Sequence, residues 1–203
     1  MRSSDFDTLV DRTSGLQPWR KAFHAINGTI IATTVVLLEP TRQLAVLIAG
    51  LIALLLLSMD LYRLTRPKAN KLFFQLFHRL ASPRDARTLA SSTWYAAGIL
   101  ISVSAFPLTD VVSGVLVLAL ADPAAAIVGR KLGKRPFLGG TLEGSAAFFA
   151  TSLVVLTLRH TWPLAVLVSV LTTLVERRSW PLDDNFTIPV VSAGTLVGLG
   201  MIL

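Results

Sequence analysis

Seven long apolar runs, with nearly all the lysine and arginine confined to the segments between them, leave this chain few ways to fold. The runs are Phe23–Leu38, Leu44–Leu61, Leu89–Phe106, Val111–Val128, Leu142–Leu158, Trp162–Val175 and Thr187–Leu203. Most are near 17 or 18 residues, the short end of what a helix needs to cross about 30 Å of hydrocarbon. The sixth is shorter, and either starts outside the apolar layer at Trp162 and Pro163 or crosses a thinned region. Only helices and closed barrels satisfy the backbone in lipid, and none of these runs alternates as a barrel strand does. The expected fold is all-α, a polytopic transmembrane helix bundle of about seven spans. Residues 1–203 form a single integral membrane domain, with 1–19 as an N-terminal cytoplasmic segment.

Charge sets the orientation. With the N-terminus inside, 17 of the 19 Lys and Arg residues fall on the inner side. They form four groups: Arg2, Arg12, Arg20 and Lys21; Arg63, Arg66, Lys68, Lys71, Arg79, Arg84 and Arg87; Arg130, Lys131, Lys134 and Arg135; Arg177 and Arg178. The outer side holds only Arg42 and Arg159. Cytoplasmic loops carry the excess of positive charge, so the N-terminus is expected inside and the C-terminus outside, in a bacterial or archaeal cytoplasmic membrane. The net charge of +7 alone would suggest nucleic acid. Cations placed in short loops between spans instead set topology, and no nucleic-acid partner is expected. The chain has no cysteine, which excludes disulfides, thiolate zinc sites and iron–sulfur clusters. Asp5, Asp7 and Asp11 precede the first basic pair, and there is no apolar h-region with a small-residue cleavage site, unlike a cleaved signal peptide.

Between the second and third runs, Leu72, Leu76 and Leu80 recur at helical spacing within Ala69–Ser82, with Phe73 and Phe77 beside them. Lys71, Gln75, His78 and Arg79 fill the other face. This pattern predicts one amphipathic helix lying in the inner interface, either beside the route of a lipid substrate or as a simple anchor.

Polar residues in or beside spans are costly and therefore candidates for function. The richest stretch runs from Asp122, inside the fourth run, to Ser145. The loop from Gly129 to Gly140 combines Gly129, Gly133, Gly139 and Gly140 with Arg130, Lys131, Lys134 and Arg135, then enters a helix at Thr141. Glycine backbone, cations and a helix N-terminus are the parts that hold a triphosphate. The same residues also suit a tight turn with Thr141 as N-cap. Mg²⁺ carried by a nucleotide takes one or two carboxylates, for which Asp122, then Glu143, are the candidates; Asp122 would otherwise join helices as buried polar glue. Arg20, Lys21 and His24 open the first run, as ligands or as snorkelling anchors. Glu176 closes the sixth run, and Pro181 to Pro189 leads into the seventh. There Asp183, Asp184 and Asn185 hold a metal or the base and ribose, or else Asp184, Asn185 or Thr187 caps a helix with Pro189 in its first turn.

At these residues the chain resembles the membrane kinases that include dolichol kinase, phytol kinase and the CTP-dependent diacylglycerol kinase of fungi. The pieces are Arg20-Lys21-x-x-His24, the polar patch Leu89-Ala-Ser-Ser-Thr93-Trp, Asp122 through Gly133, Thr141-Leu-Glu-Gly-Ser145, and Glu176 followed by Asp183-Asp-Asn185 and Pro189. They run in the family's order from about residue 17 to the end. The resemblance implies transfer of the γ-phosphoryl of CTP to a lipid alcohol (a prenol such as phytol, a polyprenol or a diacylglycerol), with Mg²⁺ or another divalent cation. It implies catalytic roles for Arg20, Lys21, Asp122 and Glu143. Gly129, Arg130, Lys131, Gly133, Lys134, Gly140, Thr141 and Asn185 would bind the nucleotide, and Asp122, Glu143 and Asp184 the metal. Members commonly carry a lysine just before the Ser or Thr of the Leu-Glu-Gly piece, where this chain has Gly140. Lys134 or Arg135 would then cover that phosphate contact, or activity would be weaker.

A CTP:phosphatidate cytidylyltransferase would share the nucleotide, metal and membrane, but its long acidic signature is missing near the C-terminus. A small transporter would show internal repeats and polar residues at mid-membrane. Here the polar groups crowd one side.

Overall fold

The computed structural model describes residues 3–15, 17–178 and 182–202. Arg2, Pro181 and Leu203, counted above in the basic groups, the acidic loop and the last run, lie outside the described residues. The chain is nearly all helical. Its helices are α1 (Ser3–Asp11), α2 (Pro18–Leu38), α3 (Arg42–Thr65), α4 (Pro67–Phe77), α5 (Ser91–Ala105), α6 (Leu108–Leu132), α7 (Leu142–Thr157), α8 (Trp162–Arg177) and α9 (Asp184–Gly200). A 3₁₀ turn, Pro83–Ala86, precedes α5, and a two-stranded hairpin joins α6 to α7.

Each of the seven apolar runs falls on one helix: α2, α3 and α5 to α9. By length and composition three of them, α2, α3 and α6, are long and apolar enough to cross a membrane. The other four have 15 to 17 residues. Leu47, Leu51, Leu54 and Leu55 of α3 and Ile26, Ile30 and Leu37 of α2 face outward, as side chains in contact with lipid do. This is the make-up of a membrane protein.

The core forms around α6, which packs against α2, α7 and α9. Phe148 of α7, Leu156 of α7, Val168 of α8 and Ile188 of α9 are fully buried with Val117 and Leu118 of α6. Without a hydrophobic force between helices in lipid, close approach of small residues does the packing. On the α2 seam Gly28 meets Ala119 so closely that a Cβ would come within 2.6 Å of the Ala119 methyl and 2.9 Å of the Tyr95 hydroxyl. Gly114 of α6 lies as tightly on the Pro189 carbonyl of α9. The α2 seam has a functional consequence, because Lys21 lies two turns before Gly28 and Asp122 one turn after Ala119. Gly28→Val should push the helices apart at a cost of about 1–3 kcal/mol and separate Lys21 from Asp122. Lower thermal stability than in a Gly50→Val control would be observed; among the described residues, such a Cβ at Gly50 meets a Leu100 methyl at 3.8 Å.

Two expectations are corrected. The predicted interfacial helix starts earlier, at Pro67, and stops at Phe77 instead of Ser82. Pro83 cannot continue it, and Ser82 instead caps the 3₁₀ turn reciprocally with Asp85. Nor does that helix simply lie on its surroundings: Phe74 is fully buried and meets Phe6 of α1 edge-on at 5.5 Å, and Lys71 pairs with Asp5. In the acidic segment before α9, the capping residue is Asp183, so Pro189 falls in the second turn and not the first.

Candidate active site

Lys21 and Asp122 are 101 residues apart in sequence and joined in space. The ammonium donates to both carboxylate oxygens, at 2.9 and 2.7 Å. The pair is largely sheltered, with side-chain exposures of 21% and 10%. α2 supplies Lys21 in its first turn, started by Pro18. α6 supplies Asp122 deep in its second half and runs through Pro123 without a break. The proline brings no N–H, so the Ala119 carbonyl loses its helical donor beside the acid. Removing either partner would leave the other charge sheltered and uncompensated.

The ends of α8 and α9 bring further charge to the same end of the bundle. Glu176, with 7% of its side chain exposed, pairs with Arg177. Asp183 caps α9 by accepting from the Asn185 N–H at 3.1 Å. The buried Asn185 amide donates to Asp183 at 2.5 Å and to Asp184 at 3.1 Å. Asp122 is among the charges acting on Glu176, Asp184 and His24. His24 lies one turn beyond Lys21, edge-on to the Tyr95 ring at 5.8 Å. Arg20 donates to Ser91 Oγ at 2.5 Å and to Gln17 at 2.8 Å. In the loop before α5, burial raises the Asp85 pKa against the opposing pull of the Ser82 N–H, Arg20 and Arg63.

The glycine-rich loop is a hairpin. Pro136 pairs with Thr141 and Phe137 with Gly140. Leu138 and Gly139 turn it with φ of 43° and 80°, the left-handed pair that a two-residue hairpin requires. Glu143 closes the base by accepting from the N–H groups of Lys134 and Arg135, at 3.1 and 3.3 Å. It is thus engaged with the hairpin, with Arg135 among the charges acting on it. Thr141 Oγ1 caps α7 by accepting from the Gly144 N–H at 3.1 Å. Gly133 has no room for a side chain, because a Cβ would overlap the Gly129 carbonyl and approach Thr141 Oγ1 to 2.8 Å. The cations around this frame are exposed: Lys131, Lys134 and Arg135 outright, with the Arg130 guanidinium lying near Gly15.

Gly140 takes its meaning from Arg177. A Cβ at position 140 would collide with the Arg177 guanidinium. The cation beside Gly140 is therefore Arg177, from the end of α8. Among the described residues no group of three or more Asp, Glu or His is placed to hold a metal ion by itself. Asp122 and Asp184 are brought into mutual electrostatic reach, and Glu143 is held by the hairpin backbone.

Sequence reasoning passed over a second buried network. Asp60 and Arg63 at the end of α3 are 3% and 4% exposed and pair at 2.5 Å. Asp60 also accepts from the Ala90 N–H at 2.6 Å and Thr93 Oγ1 at 2.7 Å. Arg63 donates to Asn70 at 2.9 Å, to the Asp85 carbonyl at 2.5 Å and to the Thr88 carbonyl at 2.9 Å. Its guanidinium covers the Phe73 ring at 4.4 Å. The signal was Asp60 itself, an acid inside an apolar run.

The arrangement therefore gathers cations, acids and a glycine hairpin at one end of an apolar bundle, where a phosphorylated nucleotide and a lipid could meet. The chain is similar to CTP-dependent diacylglycerol kinases of two fungi. It is 28% identical over 207 residues to CTP-dependent diacylglycerol kinase 1 of Eremothecium gossypii, covering 86% of this chain and 64% of the relative. With the protein of the same description from Saccharomyces cerevisiae it is 26% identical over 172 residues, 69% of this chain and 59% of the relative. An uncharacterized protein of Rickettsia prowazekii is 28% identical over 158 residues, 76% of this chain and 72% of the relative. The chain thus spans about three fifths of the length of the two fungal kinases. No family model matches the chain, and no solved structure does.

Proposed function

We propose that this chain is a CTP-dependent kinase of a membrane lipid alcohol, with its site at the cytoplasmic end of a seven-span bundle. The observation that carries the reading is the sheltered Lys21–Asp122 pair at the meeting point of α2, α6, α8 and α9. The likeness to two proteins described as CTP-dependent diacylglycerol kinases supports the nucleotide and the lipid acceptor. The 17-to-2 division of Lys and Arg supports the orientation.

Phosphoryl transfer asks the protein mainly for positioning and charge neutralisation. The acceptor hydroxyl oxygen attacks the γ-phosphorus as the bond to the β–γ bridging oxygen breaks. CDP leaves, and the hydroxyl proton passes to Asp122. Lys21 holds Asp122 in position beforehand through both carboxylate oxygens and stands beside the developing negative charge. The hairpin and Arg177 receive the phosphates, and Asn185, fixed between Asp183 and Asp184, faces the nucleotide. Asp122 and Asp184 are the residues that would hold Mg²⁺, since this ion takes one or two protein carboxylates and completes its shell from phosphate and water. When bound it would neutralise charge on the transferred group.

Arg177→Ala should raise the KM for CTP about 10- to 100-fold, the worth of one charge-assisted hydrogen bond. Gly140→Lys alone should turn the flexible Arg177 guanidinium aside with little effect on the KM for CTP, whereas Gly140→Lys in the Arg177→Ala background should restore CTP affinity. Equal KM values for all variants would contradict a phosphate role for this pair. The reading as a whole is tested by product analysis with CTP, Mg²⁺ and a panel of prenols and diacylglycerol. CDP formed in step with lipid phosphate is expected, and pyrophosphate released with phosphatidate would move the chain to cytidylyl transfer.

A further inference from the structure

An apolar groove of about 420 Å³ lies between α2, α3, α4 and the start of α5. One wall carries Met59 and Tyr62 of α3, and the other Leu72 and Leu76 of α4, all more than half exposed. What sets these side chains apart from the lipid-facing ones elsewhere on α3 is that they line a concave cleft that also reaches polar groups. The walls are firmly set. Phe74 anchors α4 against α1, and the buried Arg63 ties α4 to the loop before α5 through Asn70, Asp85 and Thr88.

The groove changes character at one end. There it reaches Arg20, His24 and Ser91, where Arg20 and Ser91 hold each other at 2.5 Å. His24 is one turn along α2 from Lys21, and both Asp122 and Asp183 act on it. The polar end of the groove therefore lies one helical turn from Lys21, whose ammonium holds Asp122, and an apolar chain lying in the groove would carry its head group towards that pair.

We propose that this groove receives the hydrocarbon chain of the acceptor, a lipid with one terminal hydroxyl directed to the His24–Ser91 end. At roughly 30 Å³ for each methylene, near the share of one water, the volume holds roughly a dozen carbons of a single chain. A second chain, where the acceptor has one, stays in the bilayer. The hydroxyl's fate rests on the kinase reading; occupation of the groove does not.

The test uses a long-chain primary alcohol bearing a diazirine at mid-chain, photolysed with the whole protein in lipid nanodiscs without nucleotide. Adducts should concentrate on the Met59–Tyr62 and Leu72–Leu76 segments and be displaced by unlabelled alcohol. Leu76→Trp, and independently Met59→Trp on the facing wall, should lower this labelling and raise the acceptor KM about tenfold with the KM for CTP unchanged. Two variants on opposite walls guard against misfolding of either one. Labelling spread evenly over lipid-facing residues such as Leu47 and Leu51, undisplaced by alcohol, overturns the groove even if CTP-dependent phosphoryl transfer is intact. Displaceable labelling of the groove with no transfer to any alcohol upholds the groove and sinks the kinase reading.

Discussion

Asp122→Asn lowers kcat by about a thousandfold while the protein still inserts and folds. The amide keeps the shape of the carboxylate and can still accept a hydrogen bond from Lys21. It has no charge to hold a cation and little basicity to take the hydroxyl proton, and loss of a positioned general base costs typically 10²- to 10⁴-fold. The effect should fall on kcat rather than on the KM for CTP, because the nucleotide contacts proposed for the hairpin and Arg177 remain. Purified variant and wild type should elute alike in detergent and differ only in turnover. An Asp122→Asn protein that turns over at the wild-type rate would remove Asp122 from the chemistry.

Arg63→Ala unfolds this end of the bundle more readily than any surface charge removal. Arg63 is 4% exposed and holds Asp60, Asn70 and two backbone carbonyls at once. Its loss leaves Asp60 buried without a counter-charge, a situation that costs about 3–5 kcal/mol. For a chain of this size that corresponds to a fall in melting temperature of about 10 °C. Removing both charges together, in Asp60→Asn with Arg63→Met, should destabilise less than Arg63→Ala alone, because no uncompensated charge stays behind. Thermal unfolding of the three proteins in one detergent measures this. A melting temperature for Arg63→Ala within a degree or two of the wild type would mean that the network contributes little.

The helices were legible because each apolar run is set off by charge or proline, and periodicity needs no knowledge of partners. Their edges were not: α2 starts at Pro18, five residues before the run at Phe23, because charged and amphipathic residues such as Arg20 and Lys21 belong to a helix as readily as to a loop. The chemistry-bearing residue types of Asp122, Lys21 and Asp183 could be read from their cost in an apolar setting. Their pairing could not, since Lys21 and Asp122 meet only once α2 and α6 pack along Gly28 and Ala119. Asp60 went unread because an acid at the last turn of a leucine-rich run looks like its border, and only the burial of Arg63 reveals a network there. The hairpin turn was hidden for another reason. Leu138 adopts the left-handed conformation that its neighbouring glycines would take more easily. Arg177 over Gly140 is a contact between segments 37 residues apart (177 − 140), and no local pattern announces it.

The most direct measurement compares CTP labelled at the γ-phosphate with CTP labelled at the α-phosphate, incubated with purified protein, Mg²⁺ and lipid alcohols. Transfer of the γ-label to the lipid, with the α-label remaining in CDP, is the predicted result. The α-label appearing in lipid, or neither label reaching it with any acceptor, would contradict the account.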